Sequence, residues 1–286
     1  MLFLGGLIRL IMSTQDAEGG VYLTPLIPIK KADLGFIFSI IFFIIIITNI
    51  IGAVLVGYIL GPVFLYVHKK IIGKKMIYGV QERPKTNVFK GTLKAFFPNL
   101  MATGFALWLI ESEDIAKMFV VESVLNSVGG YMYGIVVMIM ITSGISMGLF
   151  SSGWFLNDSG IVFTNKEKKK LSTEPIEVRS VGGWFQNFLK GYAGISVIYA
   201  FYIFMWRQVF SVEGSDLFPN MLGSIGILFV PIFFSLLGLP AIIILDKTLD
   251  KRKNYMLKFA KKLGIVETMD LTITLSDLNK LTPQEY

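Results

Sequence analysis

The chain has 286 residues, of which 53% are hydrophobic and 16% charged, with a mean hydropathy of +0.64 and a net charge of +7. Soluble domains carry about 25% charged residues, so the composition excludes an ordinary soluble fold and predicts an all-α integral membrane protein. The absence of Cys excludes disulfides, thiolate metal sites and thiol nucleophiles, and the single histidine, His68, excludes a multi-histidine metal site within one chain.

In chain order, residues 1–34 read as an external N-terminal segment. Its opening, MLFLGGLIRLIM, is too short to span a bilayer, holds Arg9 and lacks a charged n-region, so it is expected to be a short interfacial helix. The membrane domain covers 35–245 and is expected to contain five transmembrane helices. The first, 35–67, has no charged residue. Its ~50 Å of helix exceeds the ~30 Å hydrocarbon core, so it must tilt, kink or project, with Gly61-Pro62 as the expected bend. The second span, 95–110, is short and has Pro98-Asn99 near its start. The third is 128–156, the fourth 191–210, and the fifth 218–245, with Pro231 and Pro240 inside it.

Between the third and fourth spans lies a polar stretch, 157–190, flanked by two Gly-Trp-Phe triplets at Gly153 and Gly183. Ile161–Thr164 and Ile176–Arg179 are β-prone, and Asp158-Ser159-Gly160 signals a turn before the first. The stretch is expected to be a small cytoplasmic β-hairpin with Lys166, Lys168, Lys169 and Lys170 at its tip. After the fifth span, residues 246–286 form a cytoplasmic basic amphipathic helix and tail. Leu249, Met256, Phe259, Ala260 and Leu263 fall near one helical face, and Gly264 can end the helix.

Charge sets the expected orientation. Val67–Lys94, Asn157–Lys190 and the tail from Asp246 hold 8, 6 and 8 of the 27 Lys/Arg, whereas Asp/Glu divide 11 to 9 between the two sides. Enrichment of Lys and Arg in cytoplasmic segments places the N-terminus outside and the C-terminus inside, in the cell membrane. The basicity then reflects topology and attraction to anionic inner-leaflet lipid rather than to nucleic acid. The hairpin lysines, with Lys251, Arg252 and Lys253, are candidates for docking lipid or other protein subunits of a homo- or hetero-oligomer. Trp108 and Trp206 at the outer ends of spans, and Trp154 and Trp184 at the inner side, are expected interface anchors.

Within the spans, Gly144-Ile145-Ser146-Met147-Gly148 matches the G-x-S-x-G pattern of hydrolases. A strand-to-helix elbow has no place in a continuous transmembrane helix, and no histidine at that depth is available to activate Ser146. Gly130, Gly134, Gly144, Gly148 and Ser152 read instead as a small-residue stripe for close helix packing, with Gly57 and Gly61 as a partner surface. His68, in the run HKKIIGKK, is expected to be solvated, and Glu111, Glu113 and Asp114 to form a short acidic outer loop. No Asp, Glu, Lys or His lies deep in a span, which argues against proton-coupled transport. Thr48, Asn49, Asn99, Thr103, Thr142 and Ser146 mark a candidate polar pathway. No cofactor is expected. Without a catalytic constellation the preferred reading is a membrane subunit of a transport system, a permease or channel component. A non-catalytic scaffold comes second and an intramembrane enzyme third.

Overall fold

A computed structural model describes residues 34–81, 88–112, 115, 128–165, 178–205 and 229–265. The N-terminal interfacial helix, the loop with Glu113 and Asp114, the lysines at the hairpin tip, Trp206 and the tail beyond 265 lie outside the described residues.

The protein is mostly helical. In chain order it forms α1 (Leu34–Ile51), a π-helical turn (Gly52–Val56), α2 (Gly57–Ile71), a 3-10 turn (Gly73–Lys75), β1 (Met76–Val80) and α3 (Val88–Glu111). Then follow α4 (Val128–Asp158), β2 (Ile161–Asn165), β3 (Arg179–Ser180), α5 (Val181–Met205), α6 (Val230–Lys247) and α7 (Leu249–Lys262). Among the described residues four stretches are long and apolar enough to cross a membrane: Ser39–Ile71, Leu93–Glu111, Gly134–Asp158 and Val230–Lys247. Helix α5 has 25 residues, but Gln186, Asn187 and Lys190 make its first turns polar. It is not one of the four.

The chain divides into two compact units. The first draws on 1–52, 88–147 and 190–242. Its core is apolar, with Ile45, Met101, Leu107, Ile135 and Phe234 fully buried. Helices α1 and α4 cross closely because Gly144 has no side chain: a Cβ there would come within 2.9 Å of the Thr48 carbonyl oxygen, and a Cβ on Gly52 would collide with the Gly144 carbonyl. Close approach through small residues is how helices pack in lipid, where hydrophobicity gives no preference for protein neighbours. The Thr48 and Ser143 hydroxyls join the same two helices at 3.1 Å.

The second unit draws on 53–87, 148–189 and 243–286. Pro62 does not break α2, which runs on to Ile71. The irregular turn lies at Gly52–Val56 instead. Proline lacks an N–H, so the carbonyl four residues earlier loses its helical donor. That carbonyl belongs to Tyr58, and it accepts a hydrogen bond from Tyr255 Oη at 3.2 Å. The tail helix thus replaces the bond that Pro62 removes.

The expected hairpin proves to be a three-stranded antiparallel sheet in the order β1-β2-β3. Strand β2 pairs along its length with β1, from Met76 opposite Asn165 to Val80 opposite Ile161. On its other edge Val162 faces Ser180 and Phe163 faces Arg179. A lone hairpin is marginal, and the third strand supplies the missing partner. Gly160, at φ +72°, turns the chain from α4 into β2, a left-handed position that suits glycine. Ser180 then caps α5, its Oγ accepting from the Gly183 amide (3.1 Å) while donating to Asn157 Oδ1 (2.8 Å). The two Gly-Trp-Phe triplets meet here: a Cβ on Gly182 would strike the Gly153 carbonyl, and one on Gly153 would lie 2.8 Å from Gln186 Cγ.

Helix α7 ends in a Schellman motif. The Ile265 amide reaches Ala260 O (3.1 Å) and the Gly264 amide Lys261 O (2.9 Å), with Gly264 at φ +69°. Its inward face is Arg252, Met256 and Ala260.

Candidate functional site

The first unit gathers the polar residues of its spans on three helices. On α4, Thr142 donates to Ala102 O of α3 and to Met138 O of its own helix, both at 3.0 Å. On α3, Thr103 donates to Asn99 O (2.8 Å) and Asn99 Nδ2 to Ala95 O (2.7 Å). On α1, Thr48 is held by Ile45 O (3.0 Å) as well as by Ser143. These groups are satisfied locally, as interhelical or back-bonded hydroxyls in helices usually are.

Three others are not. Asn49, Asn99 and Ser146 are at most 1% exposed. Both side-chain atoms of Asn49, the Oδ1 of Asn99 and the Oγ of Ser146 find no hydrogen-bond partner among the described residues. A buried unpaired polar group costs about 1–3 kcal/mol, so sites of this kind call for an explanation. Asn99 also marks a second crossing: Gly238 of α6 leaves room for Asn99 Nδ2 and Met147 Cε, each about 3 Å from where a Cβ would stand. Among the described residues no charged side chain is hydrogen-bonded to these groups. They offer amide and hydroxyl donors and acceptors only.

In the second unit most buried polar groups among the described residues are paired, with His68 Nε2 as an exception. Arg252, read from sequence as a docking cation, is 1% exposed. Its Nη2 and Nε donate to Leu245 O at 2.6 and 3.2 Å, and its Nη1 to Asp158 Oδ2 at 3.1 Å. The guanidinium also lies 4.8 Å from the Phe155 ring centroid. One planar fork therefore caps the end of α6, ties it to α4 and stacks on an aromatic face, a combination lysine cannot make. The difference from expectation has a simple cause: Arg252 sits in a basic run, but its partner is 94 residues away.

His68 differs in the same direction. It is buried, not solvated. Its Nδ1 meets Tyr78 Oη at 2.8 Å, and the same hydroxyl donates to the His68 carbonyl at 3.3 Å. Phe163 and Trp184 stand edge-on to the imidazole, with centroids at 4.7 and 5.3 Å. Its Nε2 has no partner among the described residues. Burial pushes the Tyr78 hydroxyl up to about 12.

The remaining expected site residues fall as follows. Gly57 packs on Ser151 and Phe155, and Gly61 on Met256. Gly130, Gly134, Gly148 and Ser152 lie along α4, where Ser152 is fully buried and donates to Leu149 O at 2.6 Å. Trp154 is 5% exposed and packs against Phe150, so its ring is enclosed by protein. Trp184 and Trp108 are 43% and 60% exposed. Trp108 lines an open groove of about 320 Å³ with Phe105, Tyr192, Ile195 and Tyr199. Lys251 is exposed and Lys253 half-buried. In comparisons with protein-family models, characterised proteins and solved structures, nothing matches this chain.

Proposed function

We propose that the protein is a membrane subunit of a transport system, a permease or channel component that passes small uncharged polar solutes. One observation carries the reading: Asn49, Asn99 and Ser146 are buried on three helices of one unit with hydrogen-bonding capacity that the described protein leaves unused. Such groups are costly in an apolar interior, and a passing solute with its own donors and acceptors would satisfy them in turn. The lack of a charge among them favours a neutral solute over an ion.

The same proposal includes five spans with the N-terminus outside and the C-terminus inside, in the cell membrane, with α5 as the fourth. The positive-inside distribution supports this orientation. The chain has no Cys, so single cysteines report cleanly. Ser112→Cys is expected to react with an impermeant thiol reagent from outside intact cells, and Lys74→Cys only after permeabilisation. Labelling of both from one side would overturn the topology.

Transport is tested in proteoliposomes by light scattering during a glycerol or urea gradient. Wild type is expected to pass the solute faster than empty liposomes, and Asn49→Leu to remove the difference. A wild-type rate equal to that of empty liposomes, together with a stable complex of co-purifying subunits, would replace transport by the scaffold reading.

A further inference from the structure

The tail helix shows a feature that composition alone does not locate. With Arg252, Met256 and Ala260 turned inward, the spacing of Lys251, Tyr255, Lys258 and Lys262 places all four on one adjoining stripe. All four are exposed. The one acid of this helix, Asp250, falls on another side by the same 3.6-residue period, and Asp246 belongs to α6.

The stripe is fixed in place at Tyr255. Its hydroxyl holds the Tyr58 carbonyl that Pro62 leaves without a donor, and its ring meets the Tyr58 ring at 5.0 Å. Tyr58 borders the outer side of α2, where Ile59, Val63, Tyr66 and Lys70 repeat the same four-three-four spacing and are all exposed. Ile59 is 64% exposed and Val63 47%, an apolar surface within a stretch long enough to cross a membrane. It ends in Tyr66, with Lys70 Nζ 5.6 Å from the ring centroid, and then in exposed Lys74 and Lys75. An apolar face thus leads along α2 to an aromatic and a cation, with a second line of cations beside it on α7.

We propose that Lys258 and Lys262, with Lys70, bind the phosphate headgroup of an anionic phospholipid whose acyl chains lie along Ile59 and Val63. Basic side chains at the bilayer surface attract anionic headgroups, each with a modest and additive effect. Tyr66, between the apolar face and Lys70, supplies an amphipathic ring of the kind that suits headgroup depth. The inference depends on membrane embedding and is independent of transport.

The test uses the full-length protein in neutral detergent, titrated with short-chain phosphatidylglycerol or phosphatidylcholine. Bound lipid is counted by native mass spectrometry. Wild type is expected to prefer phosphatidylglycerol, and Lys258→Gln/Lys262→Gln to weaken that binding about tenfold. Lys253→Gln/Lys261→Gln removes the same charge off the stripe and is expected to bind as wild type does. Lys258→Arg/Lys262→Arg is expected to retain binding, which separates loss of charge from damage to the helix. Equal weakening by the two glutamine doubles would reduce the effect to diffuse attraction and overturn the site. Equal binding of phosphatidylcholine would do the same, as would displacement of lipid by inorganic phosphate at constant ionic strength.

Discussion

The two units treat buried polar groups in opposite ways. In the second, Arg252 has Asp158 and Leu245, and Ser180 has Asn157. His68 Nε2 is the exception. In the first, Asn49 has nothing on either side-chain atom, and Asn99 and Ser146 are incompletely satisfied. Polar groups that hold a fold together are expected to be saturated, because each unmade bond in a low-dielectric interior costs stability. Groups left unsaturated cost the folded state something and are kept for another reason. On the proposed transport reading, the unsaturated set is the one that would meet a passing ligand.

The strongest way to break that contrast is to unpair the saturated set. Arg252→Ala leaves the Leu245 carbonyl without its side-chain donor and Asp158 without its cation. Removal of one partner from a buried pair costs about 3–5 kcal/mol, so a large fall in the melting temperature of purified protein is expected. Arg252→Lys should recover only part of it, since one ammonium cannot reproduce the fork that reaches both acceptors. A melting temperature unchanged in Arg252→Ala would mean that the pair holds nothing.

The unsaturated set should behave in the reverse sense. Asn49→Leu removes an unpaired amide from an apolar site and keeps a similar volume. It is expected to leave stability unchanged or raise it by up to about 1–3 kcal/mol, while abolishing solute flux in liposomes. Stability gained with function lost is the signature of a group retained at a cost. If Asn49→Leu instead destabilises as Arg252→Ala does, Asn49 is structural and the contrast between the units fails.

How much of this was legible beforehand follows the range of the interactions. The apolar runs announced five spans, of which four have counterparts among the described stretches long and apolar enough to cross a membrane, because a local property, some twenty uncharged residues, is enough. The basic tail helix and its end at Gly264 were legible for the same reason. Strand β1 was not: Met76–Val80 follows a lysine pair directly, is five residues long, and acquires its identity only by pairing with β2 some 85 positions away. Of the expected second strand, Ile176–Arg179, the first two residues lie outside the described residues, and Arg179 with Ser180 pairs with β2. Asn49, Asn99 and Ser146 stood out as polar residues in apolar runs, but so did Thr103 and Thr142. Which of them finds a partner depends on neighbouring helices, as with Thr142 and the Ala102 carbonyl. Arg252 and His68 looked like members of solvated basic runs because their partners are tertiary.

The smallest effect offers the sharpest test of pairing in the second unit, because it can be reversed. Tyr255→Phe removes the hydroxyl that donates to the Tyr58 carbonyl, and a single such bond is worth about 0.5–1.5 kcal/mol. If the bond matters because Pro62 took away the helical donor, Pro62→Ala should make the Tyr58 carbonyl independent of Tyr255. The double variant Pro62→Ala/Tyr255→Phe is then expected to melt with Pro62→Ala alone, with the coupling between the two sites equal to the cost of Tyr255→Phe. Additive effects would show that the Tyr255 hydroxyl contributes independently of the donor Pro62 removes, because Tyr255→Phe keeps the ring that stands edge-on to Tyr58 at 5.0 Å. Only the coupled result keeps α7 as the element that completes a proline-interrupted helix.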